Sequence, residues 1–324
     1  MKNLDEVYEE LKISSNKDLD ILWGKVKNER KKSNKIVLIT CLIIDMVFIY
    51  FSYPNMAGGS FKFGSDIVSI LLFVLPILVI NIFIYVIITG IFSKNQTKFK
   101  QMYKLTVIKK IMENFYTNLE YFPQKHMPEY IYNEGCFNEY YNKYYSEDYL
   151  EAQINNKYSL QMAEIETQRE ETHKDSDGNI KETTTTVFHG LFAKIIMEKS
   201  INSKIKVMQN GKMFLQNNKL KMDSSVFEKY FDVQASNKII AMQLLTADIM
   251  EDLIEFQNKT NVKYDISIEN NNLYLRFHLG DVFELTNTKS SPLEKESIKK
   301  YFYILNFTYN LSNKIIKLIE ETEI

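Results

Sequence analysis

The sequence predicts an α+β protein, with a two-helix transmembrane hairpin followed by a cytoplasmic antiparallel sheet with packed helices. Three observations predict it. Two long apolar runs, Ile36–Tyr53 and Ile67–Phe92, stand in the first third of 324 residues. Each is long enough to cross a hydrocarbon core of about 30 Å. From Asp148 the apolar period changes to two, the period of strands. Toward the C-terminus it returns to three and four, the period of a helix packed on one face.

Hydrophobic residues make up 45% of the chain and charged residues 25%, an ordinary globular balance. Their uneven distribution is therefore the signal. A net charge of -1 offers no field for nucleic acid or an acidic ligand. Cys41 lies in an apolar run and Cys136 in a polar one, so no disulfide framework is expected and a reducing compartment fits. The abundance of Lys, Asn and Ile fits an AT-rich bacterial genome.

Residues 1–33 form an N-terminal cytoplasmic helical segment. Leu4, Val7 and Leu11, then Leu19, Leu22, Trp23 and Val26, recur at helical spacing, with a break around Ser14–Asn16. Trp23, the only tryptophan, suits either a membrane interface or packing on the cytoplasmic domain. Residues 34–93 form the hairpin, with helices at about 36–53 and 67–92 and an external loop at 54–65. The first run begins too far from Met1 for a cleaved signal peptide. Lys25, Lys27, Arg30, Lys31, Lys32 and Lys35 precede the first helix. Lys94, Lys98, Lys100, Lys104, Lys109 and Lys110 follow the second, whereas the loop holds only Lys62. The bias places both termini in the cytoplasm of a multi-pass bacterial membrane protein. The same bases attract anionic headgroups, at about 1 kcal/mol each.

Asp45 and Asn81 interrupt the apolar runs, and an antiparallel hairpin brings both near the bilayer midplane. A charged carboxylate there costs at least about 2.5 kcal/mol. A hydrogen bond between Asp45 and Asn81 is expected, within the hairpin or across a homo-oligomer. Such bonds average about 0.6 kcal/mol, so they specify packing more than they stabilise it. The alternative is an ion or proton site, which needs an oligomer to enclose a pathway. Pro76 bends the second helix.

Residues 94–147 are expected as a helical stalk and a Tyr-rich helical segment. Leu105, Ile108 and Met112 repeat at helical spacing, and Pro123 and Pro128 end the stalk. Tyrosines crowd between 130 and 149. A stacking platform for single strands would need bases beside them. Here Lys143 faces Glu129, Glu134, Glu139, Glu147 and Asp148, a balance that repels phosphate. Structural packing is expected, and no nucleic acid partner.

Residues 148–324 form the cytoplasmic α+β domain. Strands are expected at 149–154, 158–172, 180–198 and 204–209, with a hairpin turn at 175–179. That acidic turn lacks the later ligands of a calcium loop. A short Ser-capped helix follows at 224–231, then a strand at 231–236. Helices come next at 237–245 and 246–260, the second capped by Thr246. Two strands then flank Asn270–Asn272 as a hairpin. The last helix opens near Pro292 and is apolar at Ile298, Phe302, Leu305, Tyr309, Ile315 and Ile319.

Chemistry is sparse. His126, His173, His189 and His278 lack metal-ligand spacing. No glycine-rich phosphate loop, G-x-S-x-G or C-x-x-C occurs. Glu251 and Asp252 fit a solvated helix face. No catalytic, cofactor-binding or metal residue is expected, and no cofactor. One resemblance exists. After two apolar helices come FHGLFAKI at 188–195, SSVFEKYFDVQAS at 224–236, AMQLLTADIMEDLIEF at 241–256, and LYLRF with DVFEL within 273–285. In this order the chain resembles the uncharacterised bacterial membrane family labelled domain of unknown function 3137, over nearly its whole length. The F-x-G-L-F and F-D-V…L-L-T-x-x-x-M pieces are the most specific. The stretch at 231–236 departs from the family's Tyr-Ser-Asp-like ending. The resemblance implies a membrane-anchored cytoplasmic domain and brings no activity, substrate or cofactor.

Within the first string, Gly190 marks a bulge or a close backbone approach. The sharper alternative is a partner-docking corner with Phe188 and Phe192 exposed beside Gly190. The leading expectation is a membrane-anchored binding or scaffold module for a protein partner or anionic lipid headgroups. A pore or transporter subunit, and an enzyme with an unrecognised site, are the alternatives.

Overall fold

The computed structural model describes residues 1–14, 17–57, 67–137, 139–174, 180–211, 219–284 and 292–321, with the backbone alone at 51–57, 67–73 and 297. The chain divides into two units. Residues 1–14 and 104–324 form one, and residues 15–103 the other. The first helix, α1 (Leu4–Ile13), belongs to the larger unit.

The smaller unit is helical. α1 ends at Ile13, where the break is expected, residues 15 and 16 of that break lie outside the described residues, and α2 runs through Lys17–Ala57. The basic segment and the first apolar run are therefore one helix. It packs along α3 (Ile67–Ile91), which contains Pro76. The expected loop at 54–65 lies outside the described residues from 58 on. Both helices are long and apolar enough, by length and composition, to cross a membrane. Their apolar stretches are 6% and 0% buried. α4 (Lys94–Tyr103) does not continue α3 as a stalk. The chain turns at Ser93, whose carbonyl accepts from Thr97 N at 3.0 Å. α4 then packs against α2, where Trp23 meets Phe99 with ring centroids 4.8 Å apart.

In the larger unit a capping box closes α1. Asn3 Oδ1 accepts from Glu6 N at 3.0 Å, and the Glu6 carboxylate accepts from Asn3 N at 2.9 Å, so two orphan donors are satisfied. A π-helical turn (Lys104–Ile108) leads into α5 (Lys109–Glu113). The expectation of helix up to residue 147 fails beyond this point. β1 (Thr117–Phe122), the short α6 (Glu129–Glu134) and β2 (Lys143–Ile154) take its place. β1 and β2 pair antiparallel, Tyr121 opposite Leu150. Aromatic residues favour this pleated pairing, and tertiary partners override the helical spacing.

β3 (Tyr158–Lys174) and β4 (Ile180–Gln209) form the expected long hairpin, closing with Lys174 opposite Ile180. Its turn at 175–179 lies outside the described residues. β5 (Lys219–Leu220), α7 (Phe227–Tyr230), β6 (Phe231–Ala235), α8 (Lys238–Leu244), α9 (Ala247–Thr260), β7 (Lys263–His278) and α10 (Lys295–Glu321) complete the unit. As predicted, the Thr246 hydroxyl caps α9 by accepting from Ile249 N.

The strands pair in the order β1-β2-β3-β4-β6-β5, with β7 along β4. β7 is a strand on both sides of Asn270, where it doubles back. Asp265 and Arg276, eleven residues apart, meet at 2.7 Å, where a straight strand would hold them roughly 35 Å apart. Tyr264 and Phe277, one step farther out on each side, have ring centroids 5.9 Å apart. Both pairs are symmetric about Asn270–Asn271, so β7 is the predicted hairpin with a two-residue turn. Asn270 has φ 55, the left-handed conformation that such turns require. β4 doubles back with it. Its residues 190–196 pair with the second arm of β7, and its residues 204–207 with the first. These arms run in opposite directions, so β4 wraps the hairpin tip, where Asn271 Nδ2 donates to Met197 O at 3.2 Å.

Both faces of the sheet are covered. Phe188, Phe192, Ala163 and Ile165 pack under α6 and the Tyr-rich segment. On the other face Phe277 and Tyr264 meet Phe256 of α9 and Phe307 of α10. This is an antiparallel sheet with helices, the α+β class that the sequence predicts.

Candidate functional site

Strand alternation determines which side chains reach the site. Glu166 lies opposite His189, Ile165 opposite Gly190, and Glu147 opposite Glu164. His189, Glu164, Glu166 and Glu147 therefore share one face. Phe188 and Phe192, on the opposite face, go into the core. The segment after β7 closes over the polar group. Leu279 N and Gly280 N both donate to His189 O at 3.1 Å, which brings Asp281 beside the imidazole. A cavity of about 480 Å³ results, lined among others by His126, Glu147, Glu164, Glu166, His189 and Asp281.

Gly190 makes this closure possible. Its φ is +155, and a Cβ there would stand 1.9 Å from Phe277 O. The close backbone approach expected of this glycine is what the structure shows. The docking corner is not. Phe188 is 1% exposed and Phe192 fully buried, because the strand turns both rings toward Tyr132. Neither ring is available to a partner.

Glu164 is buried on β3. Its Oε2 accepts from Val282 N at 2.8 Å. Burial pushes its carboxyl up to about 8, against the Val282 N–H, which lowers it. His189 Nε2 lies 3.2 Å from Asp281 Oδ1 and 3.7 Å from Glu164 Oε1. The histidines carry no metal spacing along the chain, yet the fold brings one of them to two carboxylates. The fold thus gathers one imidazole and two carboxyl groups that spacing along the chain does not bring together. The residues come from three segments, and neither the burial of Glu164 nor the fold-back of Asp281 has a local signature.

Beside the cavity, Lys104 is buried at the π turn. It meets Asp148 at 2.6 Å, Glu284 at 3.1 Å and Glu147 at 3.7 Å, and Tyr121 donates to the other Asp148 oxygen. Burial works against the ammonium, but Asp148, Glu284 and Glu147 together outweigh it and hold Lys104 above its ordinary range. A second buried cation, Arg276, is held by Asp265 at 2.7 Å and by both Glu139 oxygens at 2.6 and 2.7 Å. It ties the β7 hairpin to the Tyr-rich segment. At the edge of the cavity around His189, Lys104 reaches Glu147 at 3.7 Å. The carboxylates of the cavity outnumber its imidazoles, so its field suits a cation or a proton.

In the helical unit, Asn81 Nδ2 donates to Asp45 Oδ1 at 3.1 Å. The two polar residues singled out in the apolar runs thus meet within one chain.

Residues 186–317 match the family model described as Protein of unknown function (DUF3137), the family that the sequence strings resemble. The match takes in His189, Gly190 and Asp281. Asp45, Asn81 and Glu164 fall outside it. No curated protein matches the chain. The crystal structure of the mycobacterial trehalose monomycolate transport factor A, TtfA, aligns with a TM-score of 0.31 at 7% identity, over 61% of this chain and 88% of that chain. That score is too low to establish a common fold.

Proposed function

We propose that the chain is a membrane-anchored binding module. α2 and α3 cross a bacterial cell membrane as a hairpin, and both chain ends lie on the cytoplasmic side. The α+β unit offers the acidic cavity around His189 to a cationic ligand or to a basic group of a protein partner.

The uncovered apolar surface of the two helices carries the anchor. Leu38, Ile43, Met46, Ile82, Phe83 and Val86 are each more than half exposed. In water such a surface is an aggregation patch, whereas hydrocarbon solvates it. The Lys and Arg bias across the two helices supports the orientation. These flanking bases suit anionic headgroups. The cavity does not, since its carboxylates repel phosphate. The Asp45–Asn81 bond supports a role in hairpin register. Asn81 Oδ1 has no partner among the described residues, and a second copy could donate to it.

Alkaline carbonate extraction of membranes tests the anchor, and the expected result is retention in the pellet. Orientation is tested in intact cells with a membrane-impermeant maleimide, on chains carrying Cys41→Ser. Gly59→Cys, with Cys136→Ser, should label from outside. Native Cys136 should label only after permeabilisation. Release by carbonate, or labelling of Cys136 in intact cells, would overturn the proposal.

A further inference from the structure

Glu164, His189 and Asp281 each offer one ligand atom, and these atoms lie within 4.8 Å of one another. Ligands about 2.1 Å from a shared ion stand roughly 3–3.5 Å apart. The printed separations of 3.2 and 3.7 Å from His189 Nε2 meet that spacing within small side-chain adjustments. The three residues come from β3, β4 and the turn after β7. Backbone hydrogen bonds that need no ion hold them in place. Val282 N fixes Glu164, and Leu279 N and Gly280 N fix the His189 carbonyl.

An independent observation points to a cation. The Glu164 side chain is only 4% exposed. Its Oε1 is aimed into the cavity and accepts no hydrogen bond among the described residues, since His189 at 3.7 Å is too far to donate. Among the described residues its ion-pair contact is the His189 imidazole at 3.7 Å, which leaves this oxygen open toward the cavity. No lysine or arginine among the described residues lies within ion-pair distance of it. The nearby Lys104 is committed to Asp148, Glu284 and Glu147.

The geometry points to a site for one divalent first-row transition ion, bound by Glu164 Oε1, His189 Nε2 and Asp281 Oδ1. An imidazole between two carboxylates favours this class over magnesium or calcium, which prefer oxygen-only sets. The Val282 hydrogen bond to the second Glu164 oxygen is the outer support that ligating carboxylates need. Three protein ligands leave positions open toward the cavity, where water or a small ligand reaches the ion. The inference rests on the cavity being the binding site of the unit, and it is independent of the membrane anchor.

The test uses the full chain in detergent, stripped with a chelator and titrated with Zn²⁺, with Co²⁺ as the spectroscopic probe. One ion should bind per chain. The visible Co²⁺ band should yield to Zn²⁺ and persist in excess Mg²⁺ or Ca²⁺. His189→Gln and Asp281→Asn alter side chains that reach solvent, so circular dichroism should show both folded. Each should weaken Zn²⁺ binding roughly tenfold or more. Glu171→Gln, far along the β3–β4 hairpin, should bind as the parent does. Absence of stoichiometric binding, equal binding by the parent and both ligand variants, or displacement by Mg²⁺ or Ca²⁺ as readily as by Zn²⁺ overturns the inference. Carbonate extraction reads the anchor separately, so the two proposals fail independently.

Discussion

Lys104 shows how much one buried charge commits. Its ammonium stands among Asp148, Glu284 and Glu147 with 6% of the side chain exposed. Removing one partner of a buried pair strands the other, at about 3–5 kcal/mol. Lys104→Met should lower unfolding free energy by about that amount in a urea titration, and pairing it with Asp148→Asn, which suits the left-handed backbone at φ 57, should recover part of the loss. The pH sign follows from the direction of the shift. A lysine held above its ordinary value of 10.5 contributes stability that is fully present below that value and is lost only as pH climbs past it. The Lys104→Met deficit should therefore be constant across neutral pH. Side-chain partnerships of this kind were only partly legible in the sequence. Asp45 and Asn81 stood out because lipid-compatible runs make any polar residue conspicuous. Gly190 stood out because a strand seldom wants glycine. Glu164, Lys104 and Asp148 carry no local mark of burial, since their partners are distant in sequence, 44 residues between Lys104 and Asp148 and 118 between Glu164 and Val282. Phe188 and Phe192 misled for the same reason. Alternation fixes that the two rings share a face, and only the Tyr-rich segment determines that the face is covered.

Among the elements, the β7 hairpin organises the most structure from the fewest residues. Asn270 and Asn271 reverse the chain, and β4 is obliged to wrap around their tip. The reversal aligns Tyr264 with Phe277 on the helix side and Asp265 with Arg276 on the other, so one turn sets the register of two cores. A β-branched residue in the left-handed conformation costs about 1–2 kcal/mol. Asn270→Val should lower the thermal midpoint accordingly, whereas Asn270→Gly should stay within roughly 0.5 kcal/mol of the parent, as glycine accepts this conformation freely. Equal losses for the two variants would mean that the Asn270 side chain, and not its backbone, holds the turn. This hairpin, the β3–β4 hairpin and the capped α9 were readable because each is local, with alternation on both sides of a turn or a cap before an apolar stripe. Of the expected helix beyond residue 116, only Glu129–Glu134 is helical, and Thr117–Phe122 and the start of β2 at Lys143 are strands. The strand partner of Thr117–Phe122 begins after a gap of 20 residues, and the tyrosines of this stretch satisfy either period until the pairing is known.

At the scale of the molecule, the larger unit is discontinuous in sequence. Residues 1–14 belong to it, and the apolar helices are inserted between them and residue 104. The N-terminal helix is bound by specific contacts. Lys2 N donates to Asn114 Oδ1 at 2.9 Å and Asn114 Nδ2 returns a bond to Lys2 O at 3.0 Å. Lys110 meets Glu10 at 3.5 Å, and α1 also contacts α10. Val7 and Leu11 are each 2% exposed, and burying such a side chain is worth about 1.5–3 kcal/mol. The hydrogen bonds and ion pair at Asn114 and Lys110 add to this burial against the entropy cost of ordering the helix. A chain in which a Gly/Ser linker replaces residues 15–103 should fold as a water-soluble α+β unit with one cooperative transition. The chain 104–324 alone should melt lower, by about 2–4 °C for each kcal/mol that α1 contributes. Equal midpoints would reduce α1 to an accessory resting on a complete fold. A linked chain that fails to fold would mean that the α+β unit needs the helical unit for its own stability. The expected result separates the two roles cleanly, because the inserted helices then supply location and contribute nothing that the sheet requires to stand.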